Sequence, residues 1–584
     1  MFKPFGLFGI AVLVAAVATG CAAPTPQQGL VTGSALTIGE AGLLTNLNPG
    51  VYSTPAGEQA AADLAQLTRP QFYLHDAAGN LNPNPDFGTV TRASDGTVTY
   101  KLSGKAKWSD GEAVNAADLA VSWLAATDAQ LPGYSSYLRR TSLALSDKLE
   151  ILPDGVRVHF TCPVPDWQTA LPVTVPAHLL GKLALPSANL SNSAAEKLIT
   201  DEIGNNDTGV NSGLLASAFT SAFATTTNGT ASVSADTQLL ISAGAYSIEG
   251  ATANKVVLVA NKDFTAGPKA TVARVVLVNF STGDELAAAI QSKSVDLAAP
   301  EATTAYDLAK LANLAKGAGY STQAGKSGRN EVILLNHSSG SAFDPATYGK
   351  NADQLKAALE GAFKFMPRSG VWNVLAGTAG LTKSNSLLFG TSNQSYSNSV
   401  AHNGTDAYLF QDAEKSVELW QAAKFQHTIP LRVLFDSNSP RGQLEFTQLS
   451  RLGKLGGFNV QNVSTDNPDS VLSTGQWDVY ITNLGQLSTD NSALSTTVGA
   501  LTGFQNTDVD KVVSAVAAGK TLTQNAASAS LLDKLLTANY FGLPLFDLDR
   551  MVVWDAILQN FKPNPGNSSV TWGYSNWVVS PKGK

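Results

Sequence analysis

Six histidines, two cysteines and 46 acidic residues are the side chains on which metal, nucleophilic or acid–base chemistry could be built in this 584-residue chain. Their spacing does not build it. His75, His159, His178, His337, His402 and His427, together with Cys21 and Cys162, never fall at the short separations of a CxxC or HxxxH pair, so a metal site has no local support. The chain has no GxxxxGK[ST] loop, no GxGxxG turn after a strand, no HExxH helix and no GxSxG elbow. His178, two residues after Pro176, is the residue an acid–base reading would use. It lacks a nucleophile in a recognisable motif and reads as a structural hydrogen-bonder. No catalytic residue, cofactor or metal is expected.

The 39 basic and 46 acidic residues give a net charge of −7 with no basic run, which offers no electrostatic handle for nucleic acid. With 44% hydrophobic and 15% charged residues the chain has enough apolar surface to fold, and its length calls for two or three cores. Met1 to Cys21 carries one lysine, an apolar run from Phe5 to Val17 and small residues before the cysteine. That pattern reads as an export signal, since the run is too short to span a bilayer comfortably. Its end, Ala18-Thr19-Gly20-Cys21, resembles a bacterial lipobox, with Ala18 where Leu is commoner. The resemblance implies that residues 1–20 are removed and that Cys21 carries a diacylglycerol. Residues 21–35 then form the lipidated cysteine and a Pro/Gly/Ser/Thr tether, and lipid holds the protein on the extracytoplasmic face of the cell membrane. Cys162 would have no intrachain partner and reads as a small buried hydrophobe.

The elements that would position a site alternate between strand and helix from Leu36 onward with no fixed-period repeat, which predicts a mixed α/β fold. Thr97 to Leu102 alternates with period two, as a half-buried strand does, and Lys107-Trp108-Ser109-Asp110-Gly111 makes a turn. Asn115 can then cap a helix that carries Asp118 in its first turn and Leu119 and Trp123 on one face. Farther on, Leu431 to Phe435, a helix over 441–455, a Gly456-Gly457 stop and Phe458 to Val463 make a βαβ unit, with Trp477 to Thr482 as a third strand. Asp412 caps a helix that turns Val417 and Trp420 to the core. The Gly/Asn/Ser/Thr-rich stretches 204–236 and 381–405 are expected to be surface loops.

Residues 97–123, TVTYKLSGKAKWSDGEAVNAADLAVSW, closely resemble the signature of the family 5 extracellular solute-binding proteins, the peptide and nickel receptors of ABC importers. In that family a K-W-S/T-D-G-x-x-V/F-T-A-x-D-V run joins a strand to a helix, and Asn115 replaces its Thr here. Thr45-Asn46-Leu47-Asn48-Pro49, Val164-Pro165-Asp166-Trp167, Gly244-Ala245-Tyr246, Asn261-Lys262-Asp263-Phe264 and the stretch Leu286 to Leu297 resemble further family segments in order. In the last of them Lys293-Ser294 replaces Gly-Glu. The resemblance implies an α/β, two-lobed periplasmic-binding-protein-like fold (type II, cluster C-like) with a hinge and an inserted extra subdomain near 71–170. One lobe would hold 36–300 plus 540–584 and the other 301–539, with the ligand between them. It further implies a monomer that binds a peptide or other small solute and delivers it to an ABC permease.

In peptide-binding members a G-W-x-A-D-Y-x-D-P motif supplies the carboxylate that meets the peptide's α-ammonium, a charge costly to bury alone. The matching stretch here is Asn483-Leu484-Gly485-Gln486-Leu487-Ser488-Thr489-Asp490, with Leu487 at the Asp position. Asp490 matches the later carboxylate and otherwise reads as a solvated turn residue. On the opposing wall the family's Y-E-P/G-L segment maps to Arg69-Pro70-Gln71-Phe72, so Pro70 replaces a carboxylate. Arg69 adds a guanidinium able to hold a phosphate or carboxylate in bidentate fashion. The expected cleft residues are therefore Arg69, Gln71, Asn483, Leu484, Gly485, Gln486, Leu487 and Asp490. Two carboxylates lost and a cation gained favour neutral or anionic ligands, and without a His cluster the nickel branch is not expected. A second reading stays open. The altered Asp motif and Val173-Thr174-Val175-Pro176-Ala177-His178 also suit an actinobacterial branch of lipoproteins on this scaffold, acting in cell-envelope glycolipid assembly as regulators or scaffolds without import.

Overall fold

The structure, a computed structural model, describes residues 29–580 except 41–43, 45, 52–54, 76–80, 128–141, 162–163, 165, 205–211, 228–229, 232–236, 253, 281–282, 301–307, 367, 378–379, 467, 473, 487–501, 519–521 and 564–568. Cys21, Cys162, Leu487 and Asp490 lie outside the described residues, as do the whole signal segment and most of the tether.

Runs of β-branched and aliphatic residues build an eleven-stranded sheet. Its strands are β1 (Val31–Glu40), β2 (Tyr246–Thr252), β3 (Lys255–Ala260), β4 (Val272–Asn279), β5 (Leu297–Ala298) and β6 (Ser321–Leu335). The others are β7 (Leu381–Lys383), β8 (Ile429–Leu434), β9 (Phe458–Asn462), β10 (Val479–Gly485) and β11 (Gly542–Trp554). Their order is β2-β3-β4-β1-β5-β11-β6-β10-β8-β9, with β7 beside β11. Parallel pairs join β1 to β4 and β5, and β8 to β9 and β10. The two long strands β6 and β11 run antiparallel through the middle and belong to both ends of the sheet.

Side chains on the two ends of the sheet enter different cores, which makes the mixed α/β fold two-lobed. Leu36 and Ile38 of β1, Leu64 of helix α1 (Pro55–Thr68), Val275 and Val552 share the first core. A four-stranded antiparallel sheet over Gly88–Arg92, Thr97–Leu102, Ser146–Leu152 and Gly155–Phe160 adds to it as the extra subdomain. In the second lobe the end of β6, Val332 to Leu335, is apolar on both faces, as a strand segment covered on both sides must be. Ile333 and Leu335 meet helices α2 (Ala352–Phe365), α3 (Arg368–Val374) and α4 (Pro440–Gly453). Val332 and Leu334 meet Leu387 to Phe389 and helices α5 (Thr507–Ala518) and α6 (Leu522–Ala538).

Local readings hold where period and capping agree. Val98 and Tyr100 are fully buried within the predicted strand, Asn115 Oδ1 accepts from Ala117 N at 2.9 Å, and Asp412 accepts from Lys415 N. Two expected loops are different. Within 204–236 a helix spans Ser212–Ser221. The stretch 381–405 contains β7 and a short helix, and Ser384, Leu387, Phe389, Ser399 and Thr405 are buried. The reason is Asp533 on α6, fully buried, which accepts from Leu387 N at 3.0 Å, Ser386 Oγ at 2.8 Å, Ser399 Oγ at 2.7 Å and Asn403 Nδ2 at 2.8 Å. Composition marked these residues as polar; one carboxylate 130 or more positions away makes them interior. Asp533→Ala should leave the four donors unmatched and cost about 3 kcal/mol in urea unfolding, with new proteolytic cleavage inside 384–405. A midpoint within error of the parent would refute the assignment.

Candidate functional site

Strand direction points to a candidate site. β5 pairs antiparallel with the end of β11, Ala298 opposite Val553, and β1 runs parallel to β5, so the carboxyl ends of both point toward the middle of β11. In the second lobe β10 runs antiparallel to β6 from Val479, opposite Leu335, to Gly485, opposite Arg329, and β8 is parallel to β10. The carboxyl ends of both parallel sets therefore meet where β6 and β11 cross between the lobes. Open α/β sheets bind ligands at such ends.

The crossing is polar. β11 is apolar from Leu543 to Phe546 and from Met551 to Trp554, and reads Asp547-Leu548-Asp549-Arg550 between them. Opposite, β6 pairs Lys326 with Asp549 and then Asn330 with Asp547, so Ser327, Gly328 and Arg329 bulge out against Leu548 alone. Gly328 takes φ +79° there, a conformation open to glycine at little cost.

Asp547 is fully buried and collects donors from several elements. Gln486 Nε2 donates to Oδ1 at 2.7 Å; Thr391 N and Oγ1 donate to Oδ2 at 2.7 and 2.6 Å. The Lys326 ammonium lies 3.5 Å from Asp547 Oδ2 and 2.6 Å from Asp549 Oδ1, and donates to Thr382 Oγ1 at 2.8 Å. Gln486 Nε2 also reaches Asn330 Oδ1 at 2.9 Å and Arg329 O at 3.1 Å. Gly390 makes room for this amide, because a Cβ there would stand 2.0 Å from Gln486 Oε1.

Of the residues expected at the cleft, the structure brings Asn483, Leu484, Gly485 and Gln486 to this junction. Asn483 faces Glu331 in register, and its buried Oδ1 has no hydrogen-bond partner among the described residues. Leu484 is buried against α5 and α6. Arg69 stands elsewhere, buried in the first lobe. Its Nε donates to Thr174 O at 2.6 Å, Nη1 to Thr68 O and Ile241 O at 3.1 and 3.2 Å, and Nη2 to Leu47 O at 3.5 Å. The guanidinium lies over Trp108, and burial lowers its pKa to about 9, so it remains a cation near neutral pH. Gln71 is half-buried and donates to Gln66 Oε1 at 3.2 Å.

The K-W-S-D-G run and His178 form a brace. Asp118 accepts from Trp108 Nε1 at 3.0 Å, Asn115 N at 2.9 Å and Ala177 N at 2.7 Å. Burial pushes its pKa up to about 6 against these donors. His178 Nε2 lies 2.7 Å from Asp110 Oδ2, tying the turn to the helix Ala177–Ala184. Among the described residues no group of His, Cys, Asp or Glu is arranged for a metal ion.

Lys326, Asn330, Thr391, Asp547 and Asp549 are absent from the sequence-based expectations. For Asp547 and Asp549 the signal is the break in apolarity of β11, since charged residues inside a strand otherwise read as core mark a place where the strand leaves one core for another; Lys326, Asn330 and Thr391 lie in polar stretches that carry no such signal. Beneath the junction lies a second buried group. Arg441 Nε on α4 is 2.6 Å from Glu331 Oε1 and 3.8 Å from Glu445 Oε1, and all three are buried. Burial, then the neighbouring Glu331, holds the Glu445 carboxyl well above the ordinary range, with Arg441 opposing. The folded state thus binds a proton that the unfolded chain releases, and stability should fall as pH rises above the ordinary carboxylate range toward that raised pKa. Each pH unit in the window costs about 1.4 kcal/mol. Glu445→Gln should flatten this slope in thermal unfolding between pH 5 and 9; an unchanged slope would exclude Glu445 as its source.

Residues 84–506 match the family described as Bacterial extracellular solute-binding proteins, family 5 Middle. An uncharacterized lipoprotein of Mycobacterium leprae, ML0489, is 23% identical, over 98% of this chain and 99% of the relative. Among solved structures, Haemophilus influenzae OppA in complex with RPPGFSPFR superposes with TM-score 0.60 at 14% identity, over 94% of this chain and 99% of the other. The A. tumefaciens binding protein AgaA in complex with agropinic acid gives TM-score 0.61 at 17% identity, over 94% and 99%. These structures share the fold.

Proposed function

Because the chain belongs to the family 5 extracellular solute-binding proteins, we propose that it is the lipid-anchored binding component of an ABC importer, holding a peptide or related solute where its lobes meet. The family match across residues 84–506, from the small sheet into the second lobe, carries this reading. It is a binding family and not a catalytic one. The convergence of both sets of parallel strand ends on the β6/β11 crossing supports placing the ligand there, within reach of Asn483 to Gln486. A ligand touching both lobes favours the closed state by its extra contacts there, which is how such a receptor reports occupancy.

Core membership supports lobe limits at the β-bulge near 327 and at Leu548, farther along than 301 and 539, because Tyr320, Met551 and Val553 share one cluster and Leu548 another. Leu487 at the family's Asp position favours a ligand without a free ammonium. Arg69, already engaged by carbonyls, contributes to the lobe and not to a ligand carboxylate in this arrangement. The full-length likeness to an uncharacterized lipoprotein supports a lipid anchor; the second reading, a regulator or scaffold in envelope glycolipid assembly, rests on the altered Asp motif. No described helix is long and apolar enough to cross a membrane, and Cys21 is the proposed point of attachment.

Native mass spectrometry of the mature chain with a mixed peptide pool should yield adducts that a single binding peptide displaces. A co-purifying non-peptide species would instead identify a changed ligand class, and a protein that captures no solute but holds a partner protein would favour the scaffold reading. Cys21→Ser should move the protein from the membrane to the soluble fraction and remove the diacylglycerol mass; retention on the membrane would refute the anchor.

A further inference from the structure

We propose that Lys326 and Gln486 form a latch across the hinge, joined through Asp547, whose Oδ1 takes the Gln486 amide and whose Oδ2 faces the Lys326 ammonium. The inference rests on the reading of the two halves as lobes that move, and its test needs no ligand.

Lys326 and Asp549 precede the β-bulge on the first-lobe side, where Met551 and Val553 pack with Tyr320. Asp547 and Asn330 lie past it, beside Leu548 and Ile333 of the second core. The Lys326 ammonium, a quarter exposed, therefore touches both sides: 2.6 Å to Asp549 and 3.5 Å to Asp547. Rotation at Ser327 to Arg329 must change the ratio of those two distances. The shorter bonds of Asp547 come from the second lobe, from Gln486 and Thr391.

One cation thus serves two carboxylates, and the buried one depends on Gln486 for Oδ1. If the Gln486 amide is drawn away at the carboxyl end of β10, Oδ1 of the fully buried Asp547 loses its donor, an unfavourable state for a carboxylate away from solvent. Lys326 is positioned to answer by moving toward Asp547 and loosening from Asp549, which bends the strand pair. A pull on Gln486 is in this way converted into a change of hinge angle. Gln486 is a positioning residue: its amide N–H groups face the hinge, and its own main-chain N donates to Gly328 O at 2.7 Å inside the bulge.

Hydrogen–deuterium exchange on the full-length chain in detergent, without ligand, tests this. Lys326→Gln should speed exchange of the amides of 327–330, of Gln486 and of Asp549, which donates to Gly380 O at 2.8 Å, by about 5- to 30-fold. Amides of Thr97–Leu102 and of β9, far from the crossing, should keep the parent rate. Gly390→Ala, whose methyl would displace the Gln486 amide, should accelerate the same hinge amides by acting on the other partner of Asp547. Should the lysine variant fail to fold, raising salt from 0.05 to 1 M on the parent should reproduce the local acceleration by screening the partly exposed pair of Lys326 and Asp549. Hinge amides unmoved by either variant, or exchange raised equally through both lobes, would overturn the latch. A protein that shows the hinge response yet binds no solute would refute the receptor reading and leave the latch standing.

Discussion

A carboxylate sealed away from water at the midpoint of two long strands is the constraint around which this molecule is arranged. β6 and β11 carry the sheet from one core to the other, and a pair of strands that was apolar throughout would have no reason to bend between them. Asp547 breaks the apolar run, but a buried acid left without donors would cost more than the strand pairing returns. Thr391 and Gln486, from a segment after β7 and from the end of β10, therefore converge on it, and Lys326 faces it across the bulge. Satisfying one side chain fixes the relative placement of four elements that are remote in sequence. It also gathers the second lobe's polar loops at the edge where its parallel strands end.

Much of the scaffold was legible in the residues. Period-two alternation at Thr97 to Leu102, the Asp412 cap, the helix before Gly456-Gly457 and the parallel strands around it all follow from local rules, and the structure has them. The K-W-S-D-G run located the family. Its role in the structure is nevertheless architectural, since Asp118 gathers a turn, a helix start and the backbone of Ala177. The stretch 381–405 misled because serine and asparagine were read as solvent-seeking, when Asp533 from α6 supplies the acceptor that lets them be interior. The junction was half legible: the family motif pointed to Asn483 to Gln486, while Lys326 and Asp547 were overlooked because no motif contains them. A contact between residues 221 positions apart has no local signature, except that Asp547 interrupts an otherwise apolar strand.

Each lobe also uses an arginine in a way that composition does not reveal. Arg69 reaches Thr174, Ile241 and Leu47 carbonyls beneath Trp108 in the first lobe. Arg368 reaches Pro544 O at 2.8 Å, Thr405 O at 3.1 Å and Ser384 O at 3.0 Å over Trp372 in the second. A planar fork of five donors can collect carbonyl ends from several segments at once, and a lysine in either place would leave most of them bare. Arg69 reads from sequence as an available charge; it and Arg368 are both found as fasteners.

The way the two crossings divide the chain has a consequence for how the protein is made. The buried residues of the second core all fall in one stretch from Val332 to Leu548, whereas the first core draws on residues near both ends of the described chain. Val552, Tyr574 and Trp577 complete a core begun by Leu36, and Asp63 accepts from Thr571 N at 2.9 Å across 508 positions. Contacts of such separation must wait for a large loop to close, which makes them slow to form. As the chain folds, the second core can finish first, while the first stays open until Val552, Tyr574 and Trp577 arrive. A chain cut short of them would have a sound second core and an unsealed first, a natural mark for quality-control proteases.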